Sequence, residues 1–395
     1  MTPSLRFPQF NGQWLPKHGN DAFKSRRERA VAGLPLYSVT MDQGMVRRDS
    51  LDREFASNAP DEANLKAAKD DQVYNMMRMW QGAVGRAPEE CMVSPAYVVL
   101  EPRKSTVPAF FDHWFKRNRS LYLLWAYSYG LTNDRLRLYA RDFGRVPMAL
   151  PEKDEQQKIA DFLGAVDERI RLLQQRRDTL GKYKVGIMQR LFDKTLRFVR
   201  EDGTDFPDWK EKRLEKLATF HRGGFLPKSA LDSGAPIPCI HYGELFTKYG
   251  EIITKIDSRT AEIEPPLGSI GDIVMPSSDV TPQGLAKASA LLVEGVRLGG
   301  DINIIRPKGG DLRAEFFAYW VSAHRKKLIR LVSGTTVKHL YTSDLKSLVI
   351  ALPHPDEQRK IANALRALDD KIAAVSAQVD HMQTFKKGLL QKMFV

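Results

Sequence analysis

The residues of this chain that could perform covalent chemistry do not stand in the spacings that catalysis requires. A Gly-x-x-x-x-Gly-Lys-Ser/Thr loop, whose backbone amides would cradle a phosphate, is absent from the sequence. An Asn/Asp-Pro-Pro-aromatic motif, which would hold a flipped adenine, is also absent. The eight histidines are dispersed without zinc-ligand spacing, and Asp208 and Glu211 fit a loop better than a nuclease carboxylate cluster. We therefore predict that this polypeptide is not an enzyme and holds no cofactor or metal.

The net charge indicates a polyanionic partner. The 395 residues carry 61 Lys and Arg against 48 Asp and Glu, which gives a formal charge of +13 and a pI near 9.5. A balance of this kind is typical of proteins that bind nucleic acid, although it can also serve solubility alone. The hydrophobic fraction of 43% is that of a globular protein.

Several polar side chains in predicted loops could contact DNA. In the first half, Arg78 or Gln81 could bind a guanine or adenine edge, and Arg86 a phosphate. An alternative is that Met76, Met77, Met79 and Trp80 around them form the face of a core helix. In the second half the candidates are Ser277, Ser278, Thr281, Gln283, Lys287, Thr335, Thr336, Lys338 and His339. Ordinary solvated loops have the same composition, so that interpretation stays open.

A long helical pattern that occurs twice must position these loops. Residues 150–160 return as residues 352–362 at a constant offset (352 − 150 = 202), and the match runs without a gap to Phe192 and Phe394. Apolar residues at alternating steps of four and three predict a coiled-coil seam in each copy. The seam residues are Ile159, Leu163, Val166, Ile170, Leu173 and Leu180 in the first copy, and Ile361, Leu365, Leu368, Ile372, Val375 and Val379 in the second.

The ends and the polar positions of these helices carry further predictions. Asp154 and Asp356 are expected to be the N-caps, with prolines blocking extension upstream. Lys184 and Lys386 lie late in the seams and either fix the register or reach out to solvent. An antiparallel pair of about 38 residues would span roughly 57 Å, which is about one to one and a half turns of DNA at roughly 34–36 Å each.

Each long helix follows a region with mixed α/β character. Strand-like runs are residues 97–100, 146–150, 239–242, 272–275, 302–305 and 348–352, and helical patterns are residues 108–116 and 314–326. The predicted fold class is α+β, with two similar mixed α/β modules, two long antiparallel coiled-coil helices and a pseudo-two-fold internal repeat. The predicted segments are 1–150 (first module), 151–194 (first helix), 195–351 (second module) and 352–395 (second helix).

The motifs of the repeat resemble the specificity subunits of type I restriction–modification systems. They are Leu-Pro-x-x-x-Glu-Gln-x-x-Ile-Ala at residues 150–160 and 352–362, Asp-x-x-Ile at 167–170 and its counterpart at 369–372, and the segments 186–192 and 388–394 that end in Phe. Residues 5–8, 196–198, 206–209 and 271–279 are also similar to that family. The resemblance covers essentially the whole chain.

The resemblance implies a role and a set of partners. Each module would be a target-recognition domain that reads one half of a bipartite asymmetric site on double-stranded DNA, and the helices would set the gap. Two adenine-N6 methyltransferase subunits would dock on the helices, and two restriction subunits would join for cleavage. S-adenosylmethionine, ATP and Mg would belong to those partner subunits.

Other functions remain to be distinguished. A self-contained methyltransferase or nuclease is opposed by the missing motifs, and a coiled-coil scaffold would bind no duplex. Cys91 and Cys239 lack metal-ligand spacing and are predicted to be free thiols in a reducing compartment. With no apolar signal core at the N-terminus and no run of membrane-span length, a cytoplasmic location without membrane contact is expected.

Overall fold

A computed structural model describes residues 2–50, 61–132 and 135–395. The chain forms two compact units, one made of Met1–Gln174 with Ala377–Val395 and the other of Gln175–Ser376. Each unit thus combines one globular module with parts of both long helices.

The first module alternates short strands with short helices. Its strands are Leu15–His18, Phe23–Arg26, Leu36–Thr40, Gly44–Arg47, Leu65–Ala67, Gln72–Asn75, Val84–Arg86, Cys91–Val93, Tyr97–Pro102 and Pro147–Leu150. Its helices are Gly19–Ala22, Pro108–Trp114, Asn118–Ala126 and Ala140–Phe143, with 3-10 turns at Arg48–Ser50, Asp61–Ala63 and Met79–Gln81. The runs predicted at 97–100 and 146–150 are confirmed as strands.

The second module follows the same plan. Its strands are Lys210–Arg213, Ala218–Arg222, Ile237–Ile240, Ile252–Ile253, Arg259–Thr260, Leu267–Gly268, Ile273–Pro276, Ser278–Asp279, Ser289–Leu291, Val296–Leu298, Ile302–Pro307, Lys338–His339 and Val349–Leu352. Its helices are Leu214–Leu217, Glu244–Thr247, Pro282–Leu285, Ala314–Ala323, Arg325–Ile329 and Thr342–Lys346, with a 3-10 turn at Lys228–Ala230. The helix predicted at 314–326 is confirmed only to Ala323. His324 leaves the helical conformation (φ −110°, ψ 30°), and a second helix begins at Arg325.

The two modules share one sheet topology. In the first, the main sheet has the order Phe23–Arg26, Tyr97–Pro102, Gln72–Asn75, Val84–Arg86, with antiparallel neighbours. In the second, the corresponding order is Ala218–Arg222, Ile302–Pro307, Ile273–Pro276, Ser289–Leu291, followed by Ile252–Ile253. Each module also has a second sheet, of four strands, in which one strand pair is parallel: Leu36–Thr40 with Cys91–Val93, and Ile237–Ile240 with Val296–Leu298. The internal repeat that the sequence predicts is therefore present in the fold.

The two long helices are confirmed, at Lys153–Phe192 and Pro355–Lys392. The predicted N-caps are wrong, because Asp154 and Asp356 lie inside the first helical turn. Pro355 is the first helical residue, where its missing N–H costs nothing, and the backbone N–H of Asp356 donates to His354 Nδ1 at 3.2 Å. The two aspartates instead carry negative charge at the positive ends of the helix dipoles.

Within each unit the beginning of one long helix packs with the end of the other. In the first unit, Ile159, Leu163, Val166 and Ile170 share a core with Leu389 and Met393. In the second, Met188, Leu191 and Phe192 share a core with Ile361 and Leu365. The predicted antiparallel coiled-coil pairing stays a prediction. Of the remaining predicted seam residues, Leu173, Val375 and Val379 are buried, and Leu180, Leu368 and Ile372 are partly buried.

The repeated Glu-Gln pair explains why both helices begin in the same way. Glu357 is fully buried and accepts from Arg197 Nε and Nη2 at 3.1 and 3.0 Å and from Trp209 Nε1 at 3.2 Å. The amide of Gln358 accepts from the Arg313 N–H at 2.9 Å and donates to the carbonyls of Asp311 and Pro353. Since a buried carboxylate is stable only when paired, the pairing ties the helix start to its module.

The first unit repeats this arrangement with different residues. Arg6 donates to both oxygens of the buried Glu155 at 2.7 Å. Gln156 accepts from the Val107 N–H at 3.0 Å and donates to the Pro151 carbonyl at 2.9 Å. The Leu-Arg-Phe segment upstream of each helix thus supplies the arginine that the helix-start glutamate requires.

Each seam lysine is paired inside its own unit. Lys184 contacts Asp369 Oδ1 at 2.6 Å and Glu251 Oε2 at 3.4 Å, and the hydroxyl of Tyr319 donates to Asp369 at 2.7 Å. Lys386 pairs with Asp167, and His113 Nδ1 lies 3.7 Å from that carboxylate. The two pairs are equivalent under the 202-residue offset (167 + 202 = 369 and 184 + 202 = 386). The lysines are 14% and 15% exposed, so the alternative in which they reach out to solvent is wrong.

Burial raises the pKa of the Cys91 thiol to about 12 and that of Cys239 to about 11, and both are free.

Within the described ranges, His, Cys, Asp and Glu side chains do not gather in groups of three or more that could hold a metal ion. The helices described also include none with the length and apolarity needed to cross a membrane.

Candidate nucleic-acid interface

The candidates of the second module gather around one small ribbon. Ser278–Asp279 pairs antiparallel with Lys338–His339, and the helix Pro282–Leu285 packs beside both strands. The Leu340 N–H donates to the Ser277 carbonyl at 3.0 Å, which ties the two segments together. We call this face the ribbon surface. It comprises the partly exposed or exposed residues Ser278, Thr281, Gln283, Lys338 and His339.

The chain turns sharply at the tip of the ribbon. The Ser333 and His339 backbones exchange hydrogen bonds of 3.0 and 2.8 Å, and the loop between them exposes Thr335 and Thr336. Gly334 has a φ of +103°, and a Cβ there would lie 2.2 Å from the Val337 carbonyl oxygen, so only glycine fits. The two threonines are therefore held on an ordered, exposed turn.

Ser277 and Lys287 are less accessible. Ser277 is 4% exposed, and Lys287, which follows the helix Pro282–Leu285 in the chain, is partly buried. Burial lowers the pKa of Lys287, and Glu251 opposes that shift. Their contact with DNA stays a prediction, as it does for the rest of the ribbon surface.

The candidates of the first module occupy the equivalent place. The Leu138 N–H donates to the Met76 carbonyl at 2.9 Å, as Leu340 does to Ser277. Arg78 and Gln81 lie at the turn Met79–Gln81, which corresponds to Pro282–Leu285, and both are exposed. Arg78 and Gln81 thus lie at the place in the first module that corresponds to the ribbon surface in the second.

The alternative for the methionine-rich segment is correct in part. Met79 is fully buried and Met76 packs against the core, whereas Met77 is exposed and the segment forms a 3-10 turn instead of a helix face. This buried anchor holds Arg78 and Gln81 in place at the surface.

Arg86 is engaged by carboxylates. Its Nη1 lies 2.7 Å from Asp70 and its Nε 3.0 Å from Asp112. Burial raises the pKa of Asp112, while hydrogen bonds and the charge of Arg86 lower it. A phosphate would compete with two carboxylates for this guanidinium, so the predicted phosphate contact would require those ion pairs to open.

A cationic helix beside the ribbon surface was not among the predicted site residues. The helix Arg325–Ile329 packs against Pro282–Leu285, and Arg325 Nε donates to the Ala286 carbonyl at 3.3 Å. Arg325, Lys326, Lys327 and Arg330 are exposed. The run of cations at residues 325–330 could have revealed this helix in the sequence. The predicted helix at 314–326 instead assigned the first of these cations to the preceding helix. Such a cluster next to exposed hydroxyl and amide groups has the chemistry that binds a phosphate backbone.

The sequence comparisons connect this geometry with known proteins. The model of the type I restriction modification DNA specificity domain matches residues 17–182 and again 207–379. The MjaVIII specificity subunit of a type I restriction enzyme from Methanocaldococcus jannaschii is 23% identical over 267 residues, which is 63% of this chain and 61% of that protein. This match therefore spans less than two thirds of the relative's length.

Solved structures share the fold. The S subunit of a type I restriction–modification system from M. genitalium superposes with a TM-score of 0.64 at 14% identity, covering 100% of this chain and 99% of the other. A chain from a study of complex assembly and conformational transition in the type I R-M system gives 0.56 at 17% identity, with 98% of both chains covered. With two matches that together cover most of its length, and with the same duplicated architecture, the chain belongs to the family of type I restriction modification DNA specificity domains.

Proposed function

We propose that this chain is the sequence-specific DNA-recognition subunit of a type I restriction–modification complex, without a catalytic site of its own. Each module reads one half of a bipartite asymmetric site on double-stranded DNA. The pair of long helices sets the spacing between the half-sites and docks the methyltransferase subunits.

One observation carries the proposal. Two modules of similar topology present equivalent polar surfaces, and each module is fastened to the start of an equivalent long helix by an Arg–Glu pair whose carboxylate is buried. A duplicated reader suits a site with two parts, and the net charge of +13 suits a polyanion.

The partners follow from the family and from the chemistry that this chain lacks. Two methyltransferase subunits would supply S-adenosylmethionine-dependent methylation of adenine N6, and two restriction subunits would use ATP and Mg. A complex of this kind acts on genomic DNA, which places it in the cytoplasm.

Salt-dependent duplex binding by the full chain tests the proposal. Each phosphate contact contributes a slope of about −0.9 to the plot of log K against log salt. Replacing Lys326 and Arg330 with glutamine is therefore expected to reduce the slope by about 1.8 if each cation contacts one phosphate. Lys255→Gln, which removes an exposed cation from another segment of the same unit, is the matched control and should leave the slope unchanged.

The result can also contradict the proposal. If the full chain shows no duplex binding that depends on salt, it is a coiled-coil scaffold. If the isolated chain binds S-adenosylmethionine and methylates DNA alone, it is a self-contained enzyme.

A further inference from the structure

The first module carries exposed aromatic rings where the second module carries cations. In the helix Asn118–Ala126, Ser120 and Leu124 are buried, while Tyr122 is 63% and Trp125 is 41% exposed. The two rings lie against each other, with centroids 5.8 Å apart and planes at 34°. Two large exposed rings that lie together form an apolar patch, and patches of this kind mark surfaces that contact a partner.

This helix belongs to the surface that holds Arg78 and Gln81. It packs directly against the turn Met79–Gln81, in the same way as Arg325–Ile329 packs against Pro282–Leu285. Tyr129, just beyond the helix, is 57% exposed and exchanges backbone hydrogen bonds of 3.0 and 2.9 Å with Arg137. The rings are therefore neighbours of the residues predicted to read DNA.

The charges around the rings favour a polyanion. Arg78, Arg119 and Arg137 are all exposed, and the helix Asn118–Ala126 contains no acidic residue. An apolar protein partner would not require this cationic surround. Duplex DNA offers both phosphates for the arginines and, in its major groove, thymine methyl groups for the rings.

The equivalent helix of the second module has the opposite character. Its exposed side chains are Arg325, Lys326 and Lys327, and aromatic residues are absent from it. Elements in the same place of the same topology thus present two different chemistries to a ligand.

We propose that Tyr122 and Trp125 are specificity-determining residues that make apolar contact with the bases of the first half-site. The corresponding helix of the second module binds the phosphates of the second half-site. This inference rests on the proposed function, and it means that this helix contributes apolar contacts to the first half-site, whereas its counterpart contributes only charge contacts to the second. Apolar contacts discriminate sequence through base identity and deformability, whereas phosphate contacts position the duplex.

The test uses the full chain and a duplex that contains its bipartite site as defined by methylation mapping. Tyr122→Gln with Trp125→Gln removes the rings and keeps the helix polar and neutral. Since losing the readout of one base pair in a duplex site typically costs a factor of roughly 5 to 150, the double variant should bind at least about fivefold more weakly with an unchanged salt slope. It should also lose preference for an intact first half-site over a scrambled one.

Matched variants separate the two modules. Tyr122→Phe with Trp125→Phe keeps the rings and should bind within about twofold of the unmodified chain. Arg325→Gln with Lys326→Gln should reduce the salt slope by about 1.8 and weaken binding equally for intact and scrambled second half-sites. The single glutamine variants of Tyr122 and Trp125 serve the same test if the double variant unfolds.

Two outcomes would overturn the inference while DNA recognition stands. One is a double glutamine variant that binds with unchanged affinity and half-site preference. The other is a variant that keeps DNA binding but no longer co-purifies with the methyltransferase subunit, which would make the rings a protein-docking surface. Failure of the unmodified chain to bind any duplex would instead refute the proposed function.

Discussion

Replacing Arg197 with methionine should destabilise the second unit strongly. The substitution keeps much of the apolar stem but removes the guanidinium that neutralises Glu357. Glu357 is fully buried. Without the guanidinium, the indole N–H of Trp209 at 3.2 Å would be the remaining one of the side-chain donors named above for this carboxylate. Breaking a buried pair of this kind costs about 3–5 kcal/mol, and the partial exposure of Arg197 (25%) points to the lower value.

A loss of about 3 kcal/mol corresponds to a fall in Tm of roughly 6–12 °C for a unit of this size. Thermal unfolding followed by circular dichroism on the full chain measures it. The control Lys255→Met breaks an ion pair between exposed groups, 81% and 65% exposed, and should leave Tm unchanged within about 1 °C. The variant Arg197→Met with Glu357→Gln should be more stable than Arg197→Met alone, because it no longer buries an unpaired charge.

If Arg197→Met lowers Tm no more than Lys255→Met does, or if adding Glu357→Gln brings no recovery, then the pair does not hold the helix to its module. The equivalent Arg6→Met in the first unit should lower stability by a similar amount, since Glu155 is 2% exposed.

Further substitutions test the seam, the buried histidine, the helices and the ribbon turn. Asp167→Lys should lower the free energy of unfolding, measured by chemical denaturation, by about 1–2 kcal/mol. Adding Lys386→Asp should recover part of that loss, and purely additive effects of the two substitutions would contradict a direct pair. Burial, with the charge of Lys386, lowers the pKa of His113 from 6.5 to about 4, so the unfolded chain binds a proton that the folded chain does not. Stability should therefore fall as pH drops from 6.5 to about 4, and His113→Tyr, which places the residue of the equivalent Tyr319, should remove that part of the fall; an unchanged pH profile would exclude this titration. Inserting one heptad into both long helices should lengthen the gap of the methylated motif without changing either half; an unaltered gap would refute the role of the helices in spacing. Gly334→Ala should strain the ribbon turn, lower Tm measurably and weaken duplex binding severalfold, because an alanine Cβ would clash with the Val337 carbonyl oxygen; unchanged binding would separate this turn from the DNA surface.

The helices were predictable because their signals are local. The heptad pattern and the prolines give Lys153–Phe192 and Pro355–Lys392 to within a few residues of the predicted segments. The cap positions were wrong because both helices begin earlier than expected: Pro355 is itself the first residue of the second helix, and the first helix begins at Lys153. The histidine that caps the second helix has no strong signal in one sequence.

Strand pairing depends on contacts that sequence patterns do not reveal. Leu15–His18 has little resemblance to a strand, and its four residues are exposed, yet it pairs with Pro147–Leu150 as Lys210–Arg213 pairs with Val349–Leu352. The parallel pairs in the second sheet of each module likewise join segments that are far apart in the chain. Register of this kind is set by tertiary packing.

Only part of the candidate interface was predicted, because it too depends on tertiary packing. Polar loops after Gln72–Asn75 and Ile273–Pro276 were found from composition, and the structure places them at equivalent positions. The neighbouring helices with Tyr122 and Lys326 were missed, because only the fold brings them beside those loops. Their exposure is a property of packing that the helical pattern alone could not supply.

The most direct test of the central claim is a genome-wide map of N6-methyladenine in cells that carry this chain with its cognate methyltransferase, compared with cells that lack the chain. We predict one bipartite motif with a fixed unspecified gap that is methylated only when the chain is present. A map in which no methylated motif depends on the chain, in cells where the methyltransferase is active, would contradict its role as the recognition subunit.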